Sequence, residues 1–320
     1  MPQLEPLISI IIPTFNRCEM IGQTLDSILA QTNQRWECFV IDDGSTDNTE
    51  QLMSFYCGID SRIKYYTRPE DMASGANACR NYGIDVSQGD YIKFFDSDDL
   101  MFPSLLAEEI KIIENQGEVN IISCGFEKFT DKEMNSPRSY NVNLTDDILK
   151  DFCFGNLVLN TPSLLYSREI IGNTRFDEKL CRAQDLDFGF KILIKNQMKH
   201  IPLNKVQVKV RVHQLSISGN YLNRITSEAL LSELKVRKDI AEFLFKKRSE
   251  KEAQQSILYY FLVYRQMLLS KRYKLFFYNL SKHRSFCRRL KWKLLLIGLV
   301  FVLTGRGETK FSNEVKLTLY

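Results

Sequence analysis

Short apolar, β-branched runs alternate with helical patterns from Leu7 to Cys124, and this alternation limits the possible folds more than any other feature. Leu7–Pro13 and Trp36–Ile41 have the composition of buried strands, and Cys18–Thr32 between them carries apolar residues at helical spacing. These three segments form a βαβ unit. The pattern continues with a helix near Thr46–Tyr56, a strand at Ile63–Tyr66, a helix at Ser74–Val86, a strand at Tyr91–Phe95, a helix at Pro103–Asn115 and a strand at Val119–Cys124. It predicts an α/β fold, an open sheet with helices on both faces and ligands at the carboxyl ends of its strands.

The pattern changes in the second half of the chain. Beyond Gly125 it loosens into polar loops around a strand at Ser163–Ser167, a helix at Leu186–Asn196 and a strand at Val206–Val212. After about residue 220 the sequence becomes helical and basic. We therefore expect two domains, an α/β domain over residues 1–220 and a basic, mainly helical region over residues 221–320.

The basic charge is concentrated in that second region. Ala253–Gly307 holds 11 Lys or Arg and no Asp or Glu, whereas the rest of the chain holds 32 bases against 39 acids. Such asymmetry indicates that the two regions face different partners. Helices with basic and apolar faces suit an anionic membrane surface, and packing on the α/β domain or in a dimer is the alternative. Interleaved aliphatic runs fit lipid or packing better than nucleic acid, so no nucleic-acid partner is expected.

Cysteine usage and targeting signals predict where the protein resides. Eight scattered cysteines include no CxxC pair, which favours a reduced, intracellular protein. Met1–Pro6 does not resemble a secretory signal, and the apolar run Leu294–Leu303 is shorter than the roughly 20 residues that span a bilayer. We expect a cytoplasmic protein that attaches to the inner face of the cell membrane.

Acidic residues follow two of the predicted strands. Asp42 and Asp43 come directly after Trp36–Ile41, where they either bind a ligand or cap the next helix. Asp96, Asp98 and Asp99 follow Tyr91–Phe95. Carboxylates this close repel one another unless a cation lies between them, so they form either a Mg²⁺ or Mn²⁺ site or a solvated acidic turn.

Four further residues could take part in chemistry. Asp185 opens a predicted helix, where a carboxylate is either a general base or a partner of the helix dipole, and Asp187 suits the dipole role. Arg80 either binds phosphate or forms a surface salt bridge. His213 follows the predicted strand Val206–Val212, and a lone histidine is more often structural than functional.

Together these segments resemble family 2 glycosyltransferases. The resemblance rests on IIPTFNR (Ile11–Arg17), SILAQT (Ser27–Thr32), VIDDGSTDNT (Val40–Thr49), GANACRNYGI (Gly75–Ile84), GDYIKFFDSDD (Gly89–Asp99) and AQDLDFGFKIL (Ala183–Leu193), and it covers about residues 7–218. It implies a mostly parallel sheet of the GT-A type, with a nucleotide-sugar half over about residues 1–100 and an acceptor half over about residues 101–220. It also implies a nucleotide-diphospho-sugar donor, a UDP-sugar above all, a divalent metal (Mn²⁺ or Mg²⁺) and inversion at the transferred sugar.

The resemblance also implies roles for individual residues. Pro13, Thr14 and Phe15 would line the nucleoside site, Asp43 would bond the base and Asp42 would support that loop. Arg80 would lie near the diphosphate, and Asp96 would contact the ribose or sugar. Asp98 would bind the metal, with His213 approaching the metal or diphosphate. Asp185 would be the catalytic base.

The expected activity is that of a metal-dependent, hexosyltransferase-like enzyme in cell-surface polysaccharide or glycan biosynthesis, with a glycan or lipid-linked glycan as acceptor. Two alternatives remain. A sugar nucleotidyltransferase has a related sheet, but normally has a Gly-rich basic loop where this chain has PTFNRCEM. A non-catalytic nucleotide-sugar-binding scaffold would not require Asp43, Asp98 and Asp185.

Overall fold

A computed structural model describes residues 5–130, 138–195, 198–213, 226–247, 261–282 and 288–305. The chain divides into two compact units. One comprises Met1–Lys179 and Gln184–Ser216, and we call it the α/β unit; the other comprises Leu180–Ala183 and Ile217–Tyr320, and we call it the C-terminal unit. Residue 220, where the sequence predicts the domain boundary, and Asn196, the predicted end of a helix, lie outside the described residues.

The described part of the α/β unit contains nine strands, seven α-helices and a short 3-10 helix at Thr161–Ser163. The strands are β1 (Ile8–Thr14), β2 (Trp36–Asp42), β3 (Ile63–Thr67), β4 (Tyr91–Phe94), β5 (Leu100–Met101), β6 (Ile121–Phe129), β7 (Ser139–Tyr140), β8 (Leu164–Ser167) and β9 (His200–Arg211). The helices are α1 (Ile21–Leu29), α2 (Thr49–Ile59), α3 (Ala76–Val86), α4 (Leu105–Gln116), α5 (Ile148–Phe154), α6 (Arg168–Ile171) and α7 (Gln184–Leu193). The predicted strand and helix alternation is therefore observed as far as β6.

The nine strands form one sheet in the order β3-β2-β1-β4-β8-β6-β9-β5, with β7 paired to β6. Strands β3, β2, β1 and β4 are parallel, so their carboxyl ends lie at one edge. Beyond β4 the sheet is mixed, because β8 runs antiparallel to both neighbours and β5 runs antiparallel to β9. The expected α/β fold with an open sheet is therefore observed, and the sheet combines a parallel half with a mixed half.

Buried aliphatic strands explain the parallel half. Every residue of β1 and β2 is buried, as expected for strands covered by helices on both faces. Helix α3 lies close to β1, because a Cβ at Gly83 would lie 2.3 Å from Ile11 Cγ2. This close approach leaves no room for a larger side chain at position 83.

Four of the strands and α-helices were not expected from the sequence. Strands β5 and β7 have two residues each, α6 has four and α5 has seven, so none is long enough to display a clear period. Strand β6 also continues to Phe129, although the sequence pattern loosens after Gly125. The register between β6 and β9 shifts at Gly125, and such bulges obscure the alternation of a strand.

The described part of the C-terminal unit is helical except at Leu180–Ala183 and in short turns. It contains α8 (Ser227–Lys247), a helical segment at 261–269 that we call α9, α10 (Tyr273–Lys282) and α11 (Arg288–Thr304). These helices share a core that includes Leu230, Tyr264, Phe276 and Leu294. None of the helices in the described part of the chain combines the length and apolar content needed to cross a bilayer. The C-terminal helical extension is therefore confirmed.

Candidate active site

The site lies where β2, β1 and β4 end. These adjacent strands finish at Asp42, Thr14 and Phe94, and Thr14 pairs with Asp42 in the sheet. The acidic loops after β2 and β4 therefore emerge from the same edge, on either side of the loop that follows β1. This is the edge at which open α/β sheets bind ligands.

The residues after β1 combine a buried polar group with an exposed ring. Pro13 and Thr14 are buried, and among the described residues Thr14 Oγ1 has no hydrogen-bond partner. Phe15 is 50% exposed. An exposed aromatic ring beside an unused hydroxyl can stack on and hydrogen-bond to a flat heterocycle.

Asp42 and Asp43 each hold the local backbone in place. Asp42 accepts hydrogen bonds from the Ser45 backbone N–H and from the Tyr65 hydroxyl, the latter at 2.7 Å. Asp43 accepts from Arg68 Nε at 2.6 Å and from the Gly75 backbone N–H at 2.8 Å. Asp42 thus stabilises the loop after β2, and Asp43 joins β2 to the start of α3.

Two adjacent residues of α3 connect this edge to the second half of the chain. Arg80 Nη2 donates to Asp96 Oδ1 at 2.8 Å, and Arg80 is only 5% exposed. Asn81 exchanges two hydrogen bonds with the backbone of Phe176. Arg80 is therefore a buried partner of the half-buried Asp96, unlike the surface salt bridge that spacing alone also allowed, and the role of Asn81 was not predicted.

Strand β5 explains how His213 reaches the aspartates after β4. Leu100 pairs with Lys209 near the end of β9, and His213 lies two residues beyond that strand. His213 Nε2 is 2.8 Å from Asp98 Oδ2. Because β5 follows the aspartates directly, its pairing with β9 brings residues 98 and 213 together.

Arg211 fixes the same loop and was missed by the sequence analysis. Its Nε donates to the Asp98 carbonyl at 2.9 Å, and its backbone N–H donates to Asp99 Oδ1 at 2.8 Å. Asp99 is buried, so it serves the loop and not the open side of the site. The sequence signal that could have identified Arg211 is its basic side chain two positions before His213.

Asp185 lies in the first turn of α7, and this helix packs into a group of four aromatic rings. We call Phe94, Tyr166, Phe176 and Phe188 the aromatic cluster. Phe188, three residues after Asp185, stacks on Phe176 with ring centroids 4.0 Å apart. Phe94 and Tyr166 contact the same rings edge-on. The cluster therefore fixes the first turn of α7 against β4 and β8. Asp187 pairs instead with Lys191 at 2.6 Å.

The pKa shifts of Asp185 and Asp96 indicate that these two carboxylates lie near each other. Loss of hydration by burial raises the pKa of Asp185, while Arg80 and the Thr161 backbone oppose that rise. Burial also raises the pKa of Asp96 to about 6, and the charges of Asp185 and Asp98 contribute. Three carboxylates therefore lie close together beside one buried cation, Arg80.

The side chains of Asp98 and His213 offer ligand atoms for a divalent cation. Among the described residues, no group of three His, Cys, Asp or Glu side chains is arranged to hold a metal ion. Asp98 and His213 offer one oxygen and one nitrogen 2.8 Å apart. Mg²⁺ commonly takes one or two carboxylates and completes its shell with substrate phosphates and water, so this pair fits a metal that arrives with a diphosphate.

Three comparisons with known proteins agree with this architecture. Residues 9–173 match the family described as Glycosyl transferase family 2. TuaG of Bacillus subtilis, named for teichuronic acid biosynthesis, is 28% identical over 224 residues, which cover 69% of this chain and 84% of TuaG.

Solved structures resemble the chain in fold. TarS 1-349 of S. aureus in complex with UDP-GlcNAc is 17% identical with a TM-score of 0.61, covering 84% of this chain and 82% of TarS. The mannosyltransferase PcManGT of Pyrobaculum calidifontis, in complex with GDP-Man and Mn²⁺, is 15% identical with a TM-score of 0.55, covering 99% of this chain and 88% of PcManGT.

Proposed function

Since the chain belongs to glycosyl transferase family 2, we propose that it is an inverting enzyme that moves a sugar from a nucleotide-diphospho-sugar to an acceptor hydroxyl. The observation that supports this best is the convergence of Asp185 with Asp96, Asp98 and Arg80 in one electrostatic cluster. We assign the reaction to residues 1–220, with the donor half at about 1–100 and the acceptor half at about 101–220.

The nucleotide would lie along the carboxyl edge of the sheet. Phe15 would stack on the base and Thr14 would hydrogen-bond to the nucleoside, beside Pro13. Asp43 would accept a hydrogen bond from the base, because its two existing partners do not exhaust the lone pairs of a carboxylate. Asp42 would keep that loop in place. A UDP-sugar is the first donor to test, because TarS binds UDP-GlcNAc.

The diphosphate and sugar would lie near Arg80 and the aspartates after β4. Arg80 would contribute a positive charge to the diphosphate, and Asp96 would contact the ribose or the sugar. Asp98, with His213, would hold Mn²⁺ or Mg²⁺. When bound, such a metal neutralises the negative charge that develops on a leaving diphosphate.

Asp185 would act as the general base. As the bond between the sugar and the diphosphate breaks, positive charge develops on the sugar ring, and an acceptor hydroxyl attacks from the opposite face. Asp185 removes the proton of that hydroxyl. Burial favours this role, since a carboxylate whose pKa is raised accepts a proton more readily than one in water. One displacement inverts the anomeric configuration.

We further propose that the C-terminal unit binds an anionic membrane surface through α11. This helix is apolar on two faces. Leu294, Gly298 and Phe301 face the core of the C-terminal unit, where a Cβ at Gly298 would lie 2.4 Å from Phe276 Cε1. The opposite stripe is open: Trp292, Leu296, Leu299, Val300 and Leu303 are each between 42% and 75% exposed.

Charge favours lipid as the occupant of that stripe. The surrounding sequence, Ala253–Gly307, holds 11 Lys or Arg and no acid. A helix with an open apolar stripe and neighbouring bases lies in the headgroup region of anionic membranes, where each base adds about 1 kcal/mol. The protein would then work at the inner face of the cell membrane, where a lipid-linked glycan is the expected acceptor.

Vesicle flotation tests this surface directly. Wild-type protein should float with anionic vesicles and remain unbound with zwitterionic ones. Replacing Trp292, Leu296 and Leu303 together by Ser should abolish flotation, whereas Phe55→Ser, a change at an equally exposed apolar residue of the α/β unit, should leave it unchanged. Equal flotation of the triple variant would remove the proposal.

Nucleotide release tests the transferase. The chain should release nucleotide from one class of nucleotide-diphospho-sugar when a glycan or lipid-linked glycan is supplied. Asp185→Asn should lower kcat by about 10²–10⁴-fold and leave nucleotide affinity nearly unchanged. Asp187→Asn, on the same helical turn, is the matched control and should retain activity. Normal turnover by Asp185→Asn would exclude the assigned base.

A further inference from the structure

We propose that Asn16 and Ser45 are positioning residues for the nucleoside site, because they join the loops after β1 and β2 and thereby fix the position of the Phe15 ring. The inference rests on the proposed function, since it concerns the same nucleotide edge. Neither Asn16 nor Ser45 is assigned a contact with substrate. All of the contacts that carry the inference lie within the α/β unit.

Hydrogen bonds run in both directions between the two loops. The backbone N–H of Asn16 donates to Ser45 Oγ at 2.8 Å, and the backbone N–H of Thr46 donates back to Asn16 Oδ1 at 2.8 Å. The next N–H of the first loop, that of Arg17, donates to Thr49 Oγ1 at 3.2 Å. We call these three bonds the clasp. The loops cannot separate without breaking all three.

Asp47 supports the clasp from the second loop. Its carboxylate accepts hydrogen bonds from the backbone N–H of Cys18 at 3.2 Å and from Thr49 Oγ1 at 2.5 Å. Burial alone would raise the pKa of Asp47, but the hydrogen bonds from Thr49 and Cys18 outweigh it and lower that pKa to about 2. The carboxylate therefore stays charged, and its bonds to both loops persist at neutral and mildly acidic pH.

Asn16 adopts a backbone conformation that suits few residue types. Its φ is +51°, in the left-handed region, which asparagine and glycine tolerate better than other residues. This turn comes directly after Phe15, whose ring is 50% exposed. Because the clasp bonds both the backbone and the side chain of Asn16, it stabilises the turn. The turn in turn determines where the Phe15 ring lies at the edge of the sheet.

Ser45 connects the clasp to the loop that carries Asp43. Its hydroxyl donates to Asp42 Oδ1 at 2.6 Å while it accepts from Asn16. The backbone N–H of Asp43 donates to the Thr14 carbonyl at 2.9 Å. The ring proposed to stack on the base and the carboxylate proposed to bond it are therefore held by one continuous set of hydrogen bonds.

The functional consequence concerns donor binding and not the chemical step. A ring that is already held in place binds a base more tightly than a ring on a loose loop, because ordering a loop on binding costs free energy. The proposed base, Asp185, lies on α7, outside both loops of the clasp. Loss of the clasp should therefore weaken nucleotide binding and raise the KM for the donor, while kcat at saturating donor changes little.

Nucleotide calorimetry and steady-state kinetics of the full chain give the first test. Asn16→Gly keeps the left-handed turn and removes the side-chain acceptor. Nucleotide affinity should fall, and the donor KM should rise, by about fivefold or more, while kcat changes less than about twofold. Asn143→Gly is the matched control, because Asn143 also has a positive φ, +60°, but lies between β7 and α5. Unchanged nucleotide affinity of Asn16→Gly would overturn the inference.

Ser45 gives a second test with a conservative variant. Ser45→Ala removes the oxygen that accepts from Asn16 and should weaken nucleotide binding to a similar extent, whereas Ser45→Thr keeps a hydroxyl and should bind more tightly than Ser45→Ala. Ser54→Ala is the control, since the Ser54 hydroxyl is exposed on α2 and donates to the Glu50 carbonyl. If Ser45→Ala binds nucleotide as wild type does, the clasp has no part in positioning.

A double-mutant cycle with Phe15 separates positioning from a general loss of stability and from the transferase assignment. In a Phe15→Ala chain, which has already lost the ring, Asn16→Gly should cost less than about twofold in further nucleotide affinity. An equal loss in both backgrounds would overturn the inference, because Asn16 would then act independently of the ring. Wild type that binds nucleotide but transfers no sugar would overturn only the proposed reaction.

Discussion

Arg80 Nη2 donates to Asp96 Oδ1 across 2.8 Å, and this contact joins α3 to the loop that follows β4. The guanidinium lies over the Phe176 ring at 5.4 Å, and among the described residues its Nε and Nη1 have no hydrogen-bond partner. The unused N–H groups of this buried guanidinium are therefore available to hydrogen-bond to an oxygen of a bound phosphate.

We expect Arg80→Lys to weaken the donor complex. Lysine keeps the charge but loses the planar fork that holds Asp96 and still presents free N–H groups. Nucleotide affinity measured by calorimetry should fall about tenfold or more. Arg175→Lys, at an exposed pair with Asp85, is the control and should bind normally. If Arg80→Lys binds nucleotide as wild type does, Arg80 has no part in holding the diphosphate.

The metal proposal predicts coupled binding. Mn²⁺ with nucleotide diphosphate should raise the melting temperature more than nucleotide alone, because ligands that bind only the folded state stabilise it. Asp98→Asn should remove the extra rise caused by the metal, and His213→Gln should reduce it. Asp85→Asn serves as a control at an exposed carboxylate. If the melting temperature rises equally when a chelator is present, no metal takes part in nucleotide binding.

The rate of transfer should depend on pH through Asp185. The base must be ionised, and burial raises its pKa above the ordinary aspartate value of 3.8. We therefore expect kcat to be full at neutral pH and to fall on acidification, with its midpoint above 3.8. A pH profile measured at saturating donor checks this. Asp187→Asn should leave the profile unchanged, and a midpoint at or below 3.8 would contradict the raised pKa of Asp185.

His200 should contribute to acid sensitivity of the fold. Burial lowers its pKa from 6.5 to about 4, and its Nε2 lies 2.8 Å from Ser123 Oγ. The folded state thus resists protonation of His200. Its contribution to the free energy of unfolding is therefore complete above pH 6.5 and is lost as pH falls towards 4, by on the order of 3 kcal/mol at most. Denaturant unfolding of His200→Gln at pH 7 and pH 4.5 should show a smaller difference than wild type; an equal difference would contradict this.

Gly83 tests the packing that supports the nucleotide edge. Gly83→Ala places a Cβ 2.3 Å from Ile11 Cγ2, between α3 and β1. Overpacking of this kind costs about 1–3 kcal/mol of unfolding free energy. Gly58→Ala is the matched control, because a Cβ at that helical position meets nothing within 4 Å and alanine favours the helix. Equal stability of the two variants would show that α3 can shift away.

The first half of the fold was predictable because its signals are local. The strand prediction at Tyr91–Phe95 differs from β4 by one residue, since a buried parallel strand is a continuous apolar run. Strand β5, by contrast, has two residues and exists only because β9 is present to pair with it. A contact between residues 100 and 209 produces no periodic spacing of apolar residues in either segment.

The same distinction applies to the site. The amino-acid sequence by itself determined that carboxylates follow β2 and β4, because a strand pattern and the residues after it are adjacent in the chain. It also identified Asp185 at a helix start, but left the choice between a base and a dipole partner open. The tertiary structure alone decided that Asp185 lies close enough to Asp96 to raise its pKa, that Arg80 is buried and donates to Asp96, and that His213 contacts Asp98. These contacts depend on the aromatic cluster and on the pairing of β5 with β9. Both bring together segments about 100 residues apart, and the residues around each segment in the sequence do not indicate which distant residues it will contact.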